Sequence, residues 1–214
     1  MIEKMAVSAR YGGVDFSYAS FEKASVVIIP VPYEETVTYR KGAKNGPSAI
    51  FEASHNMELF DEELNMETHK IGIHTMAPLD AAGISPEAMV EAVYKAEKEI
   101  LNSGKLPVLI GGEHTVSIGA VKAAKEVCEE ISVLQLDAHY DLRDEYKGSK
   151  NNHACVGRRV QELAPLVQLG VRSISREEKE FLSRGANNRV KSISAYDILS
   201  DSLWDKKTIE SLKK

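Results

Sequence analysis

The densest cluster of metal-binding side chains lies in Ile131–Asp141, which reads I-S-V-L-Q-L-D-A-H-Y-D. A short apolar run ends in Asp137, His139 and Asp141, donors spaced two apart. Residues so spaced share a face of an extended chain, so strand geometry carried through the run would bring all three to one spot. Two carboxylates and an imidazole gathered there repel or desolvate one another unless a cation sits among them. Oxygen donors with some imidazole suit Mn²⁺, Mg²⁺ or Zn²⁺ better than soft, thiolate-seeking ions. The competing reading is a solvated loop after a buried strand, with a helix cap among its acids. A further donor, His114, follows a strand-like run and a glycine pair in L-I-G-G-E-H-T. Alone, His114 reads as a helix-start residue bonded to backbone; beside D-A-H-Y-D on another strand end, the balance tips toward metal. The glycine pair matches neither the G-x-G-x-x-G nor the G-x-x-x-x-G-K-[ST] phosphate-binding pattern.

These donors depend on strands and helices to position them. Ser25–Pro32, Ile71–Thr75, Leu106–Ile110, Ile131–Leu136, Leu166–Gly170 and Arg189–Ile193 are short apolar or β-branched runs and predict strands. Helices are expected from Ser48 to about Phe60, from Pro86 to a stop at Gly104, and from His114 to about Glu129. Others are expected from His153 to about Leu163, over Arg176–Ser183 and over Ser202–Lys214. The alternation predicts a three-layer α/β/α fold with a mainly parallel sheet. In such sheets the working residues gather beyond the carboxyl ends of the strands, where Gly111–His114 and Asp137–Asp141 both fall. No repeat or linker divides the chain, so residues 1–214 are expected to form a single domain.

The chain has 214 residues and a formal charge of −5, which argues against general nucleic-acid binding. Its two cysteines, Cys128 and Cys155, form no CxxC pair, which favours a reducing cytoplasm over a disulfide framework. The amino terminus lacks the apolar core of a signal peptide, and no apolar stretch approaches the length of a membrane span.

In order along the chain, G-G-E-H-T (Gly111–Thr115), L-D-A-H-Y-D (Leu136–Asp141) and N-H-A-C-V-G-R-R (Asn152–Arg159) resemble the successive signatures of the ureohydrolase family of arginases and agmatinases. R-K-G-A-K-N-G-P-S-A-I (Arg40–Ile50) and Q-L-G-V-R-S-I-S (Gln168–Ser175) resemble further family segments. The loop between Asp141 and Arg159 is closer to agmatinases than to arginases. The resemblance implies an arginase-like fold and a binuclear Mn²⁺ hydrolase that cleaves a guanidinium carbon–nitrogen bond. It further implies that His114, Asp137 and Asp141 hold one ion, that Asp137 bridges to a second ion held by His139, and that His153 shuttles the proton. A dimetal pair makes water nucleophilic at neutral pH, and an imidazole suits delivery of a proton to the leaving amine. The implied partner is a small guanidino substrate, agmatine first, with hydrolysis to putrescine and urea. Arginine or guanidinobutyrate are the alternatives, and homo-oligomeric assembly is implied too.

The family's later S-x-D-x-D-x-x-D-P signature, which completes both metal sites, is not present; the late aspartates Asp197, Asp201 and Asp205 lack its spacing. The expectation is therefore a fragment of a longer enzyme lacking the family's C-terminal strands. A truncated, inactive metal-binding domain is the alternative. Those strands are central in the family's sheet, so their loss is expected to leave apolar edges uncovered. Of the remaining candidates, Asn151 and Asn152 could line a substrate mouth and Arg158-Arg159 reads as a solvated pair. Cys155 reads as packed at a helix start, and His55, His69 and His74 as surface or partly buried structural residues.

Overall fold

The computed structural model describes residues 10–185 and 189–199. The chain divides into two compact units, Met1–Val127 and Cys128–Lys214. In the first, β1 (Val26–Val31) lies between β2 (Ile73–Thr75) and β3 (Leu106–Gly111), all parallel. The β-branched run of β1 is buried from Val27 to Val31, as a central strand covered on both faces requires. Its helices are α1 (Phe16–Ala19), α2 (Gly46–Ser54), α3 (Pro86–Asn102) and α4 (Ser117–Val127).

Helix α3 follows its sequence signals closely. The Ser85 side chain accepts from the Ala88 amide, Pro86 sits in the first turn, and Gly104, with φ of 75°, follows its end. Its stripe of Met89, Val93 and Ile100 packs with Val27, Ile29 and Val31 in the main core cluster. Each such burial removes enough apolar surface to contribute about 1.5–3 kcal/mol. Glu97 falls in the same stripe, 5% exposed, and burial pushes its carboxyl up to about 7. Helix α2 ends at Ser54, short of the expected Phe60. The Ser54 hydroxyl bonds the Phe51 carbonyl at 2.7 Å and accepts from the Gly12 amide at 2.8 Å, and the chain then turns into a bridge between Asp61 and Met66.

The second unit holds β4 (Val133–Leu136), β5 (Leu166–Val171) and β6 (Val190–Ser194), parallel and in that order. With them are α5 (Val156–Leu163), α6 (Arg176–Ser183) and α7 (Ala195–Leu199). Ser175 and Glu178 close α6 with a reciprocal capping box. The expected Ser202–Lys214 helix lies outside the described residues. Among the described residues, β3 and β4 each form an edge of their own sheet. Leu106 on β3 is 61% exposed, and Leu134 and Leu136 on β4 are 58% and 71% exposed, as uncovered apolar edges would be. Among the described residues no helix is long and apolar enough to cross a membrane.

Candidate metal centre

In the first unit, β3 delivers the chain into Gly112, Glu113 and His114. A Cβ on Gly112 would lie 2.3 Å from the Tyr33 carbonyl oxygen, so only glycine fits where the loop after β1 passes. Glu113 is buried. Its carboxylate accepts from the Thr36 amide at 3.0 Å and from the hydroxyls of Thr36 at 2.7 Å and Thr115 at 2.8 Å. These bonds fix the turn in which His114, half-buried, opens a short 3₁₀ segment before α4.

In the second unit, β4 stops at Leu136, before the donor cluster. Strand alternation therefore does not gather Asp137, His139 and Asp141. Asp141 takes φ of 50°, a left-handed conformation that aspartate tolerates better than most residues, and the chain turns there. The turn still brings the two carboxylates together: oxygens of Asp137 and Asp141 lie within 4.8 Å of one another. His139 is exposed, its Nδ1 3.4 Å from Asp137 Oδ1, which also accepts from the His139 amide at 2.8 Å. Two carboxylates and a reachable imidazole fit a hard or borderline divalent ion such as Mn²⁺.

The backbone of this turn is held at nearly every residue. Asp137 N–H donates to the Leu169 carbonyl, the Ala138 carbonyl accepts from the amides of Arg172 and Ser173, and the Asp141 carbonyl accepts from Arg158 N–H. Leu142 N–H donates to buried Glu178 at 2.9 Å, so the carboxylate that caps α6 also pins the donor turn. Its S-x-x-E spacing was readable as a cap; its hold on Leu142 was not. A Cβ on Gly157 would lie 2.5 Å from the Tyr140 carbonyl oxygen, so α5 packs directly on the turn.

His153 opens a 3₁₀ turn ahead of α5, its ring edge-on to Tyr146 at 6.0 Å. Asn152 is buried and occupied structurally, its side chain accepting from the Ala154 amide and donating to the Tyr146 carbonyl. Cys155 is fully buried, and desolvation pushes its thiol up to about 11. Arg158 and Arg159 are not a solvated pair. Arg158 stacks 3.6 Å over the Phe181 ring centroid, and the 13%-exposed Arg159 side chain binds Asp144 at 2.7 Å and Glu162 at 2.9 Å. The Arg159 bond holds the Asp144 carboxyl below the usual carboxylate range. His55 and His74 bond backbone carbonyls of Arg10 and Ala19, and His69 is buried against Tyr18.

A donor turn beyond the carboxyl end of a strand in a parallel α/β fold lies where such sheets gather their ligand-binding residues. The arginase family model matches residues 24–214, and the chain belongs to the arginase family. It is 43% identical over 170 residues to an N(1)-aminopropylagmatine ureohydrolase of Synechocystis sp., covering 76% of this chain and 56% of that protein. It is 34% identical over 181 residues to an agmatinase of Pyrococcus horikoshii, covering 79% and 62%. The agmatine ureohydrolase structure of Thermoplasma volcanium superposes with a TM-score of 0.83 at 26% identity, covering 98% of this chain and 68% of that one. The chain thus spans less than two thirds of the length of these two curated relatives.

Proposed function

We propose that this chain carries ligands of a dimanganese ureohydrolase site. In this reading His114, Asp137 and Asp141 hold one ion, Asp137 and His139 contribute to a second, and His153 carries a proton to the leaving amine nitrogen. The observation behind the proposal is the close pairing of the Asp137 and Asp141 carboxylates beyond β4, in a chain of the arginase family. Bound there, the ions supply the Lewis acidity that makes water a competent nucleophile at neutral pH. The protein's part is to hold the carboxylates in place, to keep His139 reachable, and to station an imidazole at His153.

Agmatine is the proposed substrate, yielding putrescine and urea; the Pyrococcus horikoshii agmatinase supports that choice. N(1)-aminopropylagmatine is the second reading, favoured by the 43%-identical Synechocystis relative. A cytoplasmic homo-oligomer belongs to the same proposal, and the free thiols of Cys128 and Cys155 agree with a reducing compartment. The test is urea release with Mn²⁺ from agmatine, N(1)-aminopropylagmatine, arginine and 4-guanidinobutyrate. It is run on this chain and on one extended to the relatives' full length. Release from agmatine is expected in the extended chain. No urea from any of the four would sink the proposal, and preference for the aminopropyl compound would favour the second reading.

A further inference from the structure

Asp137 stands at the end of a directed row of hydrogen bonds that crosses the second unit's sheet. Gln135, Gln168 and Ser192 are in register on β4, β5 and β6. Ser192 Oγ donates to Gln168 Oε1 at 2.9 Å, and Gln168 Nε2 donates to Gln135 Oε1 at 2.9 Å. Gln135 Nε2 then donates to Asp137 Oδ2 at 3.3 Å and to the His139 carbonyl at 3.4 Å. Every bond points toward the donor turn.

One contact sets the direction of the row. Gln168 Nε2 also donates, at 2.6 Å, to the Tyr140 carbonyl, an atom that can only accept. Turning the Gln168 amide over would press its oxygen against that carbonyl and against Gln135 Oε1. With Gln168 fixed, Gln135 must give its oxygen to Gln168 and its Nε2 to the carboxylate. The neighbouring row of the same face is Val133, Leu166 and Val190, so apolar residues fit this face. Gln168 is nevertheless fully buried and Gln135 nearly so. Two buried amides at such a position each carry a desolvation cost unless every partner is in place.

We infer that Gln168, acting through Gln135, is a positioning residue for the Asp137 carboxylate. The inference rests on the metal reading above. The carboxylate is held on both sides, Oδ1 by the His139 amide and Oδ2 by Gln135. Ligating carboxylates are themselves held by hydrogen bonds in this way, and loss of such a bond weakens metal binding.

The test has two readouts, Mn²⁺ affinity from the electron paramagnetic resonance of free Mn²⁺ and the nuclear magnetic resonance of the Gln135 side-chain amide. The variants are Gln168→Met, Ser192→Ala and Asp137→Asn, with Leu166→Ala as a control that weakens the same sheet without touching the row. Gln168→Met is expected to weaken Mn²⁺ binding roughly tenfold, and Ser192→Ala less but in the same direction. The Gln135 amide resonance should shift in both and in Asp137→Asn, and neither readout should follow the loss of stability in Leu166→Ala. Unchanged Mn²⁺ affinity in folded Gln168→Met overturns the inference; if that variant does not fold, unchanged affinity in Ser192→Ala does so. If neither this chain nor the one extended to the relatives' full length binds Mn²⁺, while the Gln135 amide still responds to Asp137→Asn, the metal reading is overturned and the inference with it.

Discussion

Gly157 packs against the Tyr140 carbonyl so closely that a Cβ would lie 2.5 Å from that oxygen. The contact lets α5 rest on the turn that carries Asp137, His139 and Asp141, and the next residue, Arg158, donates its amide to the Asp141 carbonyl at 3.0 Å. Gly157→Ala is expected to force the helix and the turn apart, at a cost of about 1–3 kcal/mol. Thermal unfolding should show that loss, and Mn²⁺ affinity should fall with it. A variant that keeps both would show that the turn does not depend on this packing.

Glu113 accepts three hydrogen bonds at the end of β3. Glu113→Gln replaces one accepting oxygen with an NH₂ group that faces donors. The expected loss is about 1–3 kcal/mol, the cost of a broken buried network of charged acceptor and neutral donors. Chemical denaturation of the variant beside the parent measures it. Glu113→Asp, which keeps the charge and shortens the reach, should lose less if the carboxylate itself is what Thr36 and Thr115 require.

Glu97 predicts a pH dependence with a definite sign. Its carboxyl titrates near 4.5 when solvated and at about 7 in the folded chain. Between those values the folded state holds a proton that the unfolded state has released. Stability from this group is therefore greatest below pH 4.5, declines as pH rises toward 7 and is flat above it. The span is about 3 kcal/mol at most. Glu97→Gln should be more stable than the parent at pH 8 and should flatten the melting-temperature profile between pH 5 and 7; an unchanged profile would refute the assignment.

His139 is the exposed imidazole of the donor turn and lies 3.4 Å from Asp137. In a chain extended to the relatives' full length, His139→Ala is expected to abolish Mn²⁺-dependent urea release while leaving the melting temperature of the metal-free protein nearly unchanged, since the ring is 65% exposed. Near-normal turnover in that variant would remove His139 from the site.

The strands were legible because they are short β-branched or apolar runs bounded by turn residues: β1, β2 and β4 fall inside expected runs, and β3, β5 and β6 end one residue past theirs, at Gly111, Val171 and Ser194. The donor residues were legible by type and not by geometry. The alternation Asp137, His139, Asp141 suggested a continued strand, whereas β4 ends at Leu136, His139 pairs with Ser173 in an isolated bridge, and a positive φ at Asp141 redirects the chain. Arg159 looked like a surface charge because nothing local shows that Asp144, fifteen residues earlier, would fold back to it. Nothing in the sequence linked Gln135, Gln168 and Ser192 to one another. Their row exists only once strand order and register are known, since the residues are separated by 33 and 24 positions.

The leucines along β4 set how the molecule behaves in company. A strand edge presents a ladder of amides and carbonyls, and Leu134 and Leu136 add a greasy rail beside it. An extended segment arriving there would satisfy both at once, a pull toward cohesion that the −5 net charge opposes.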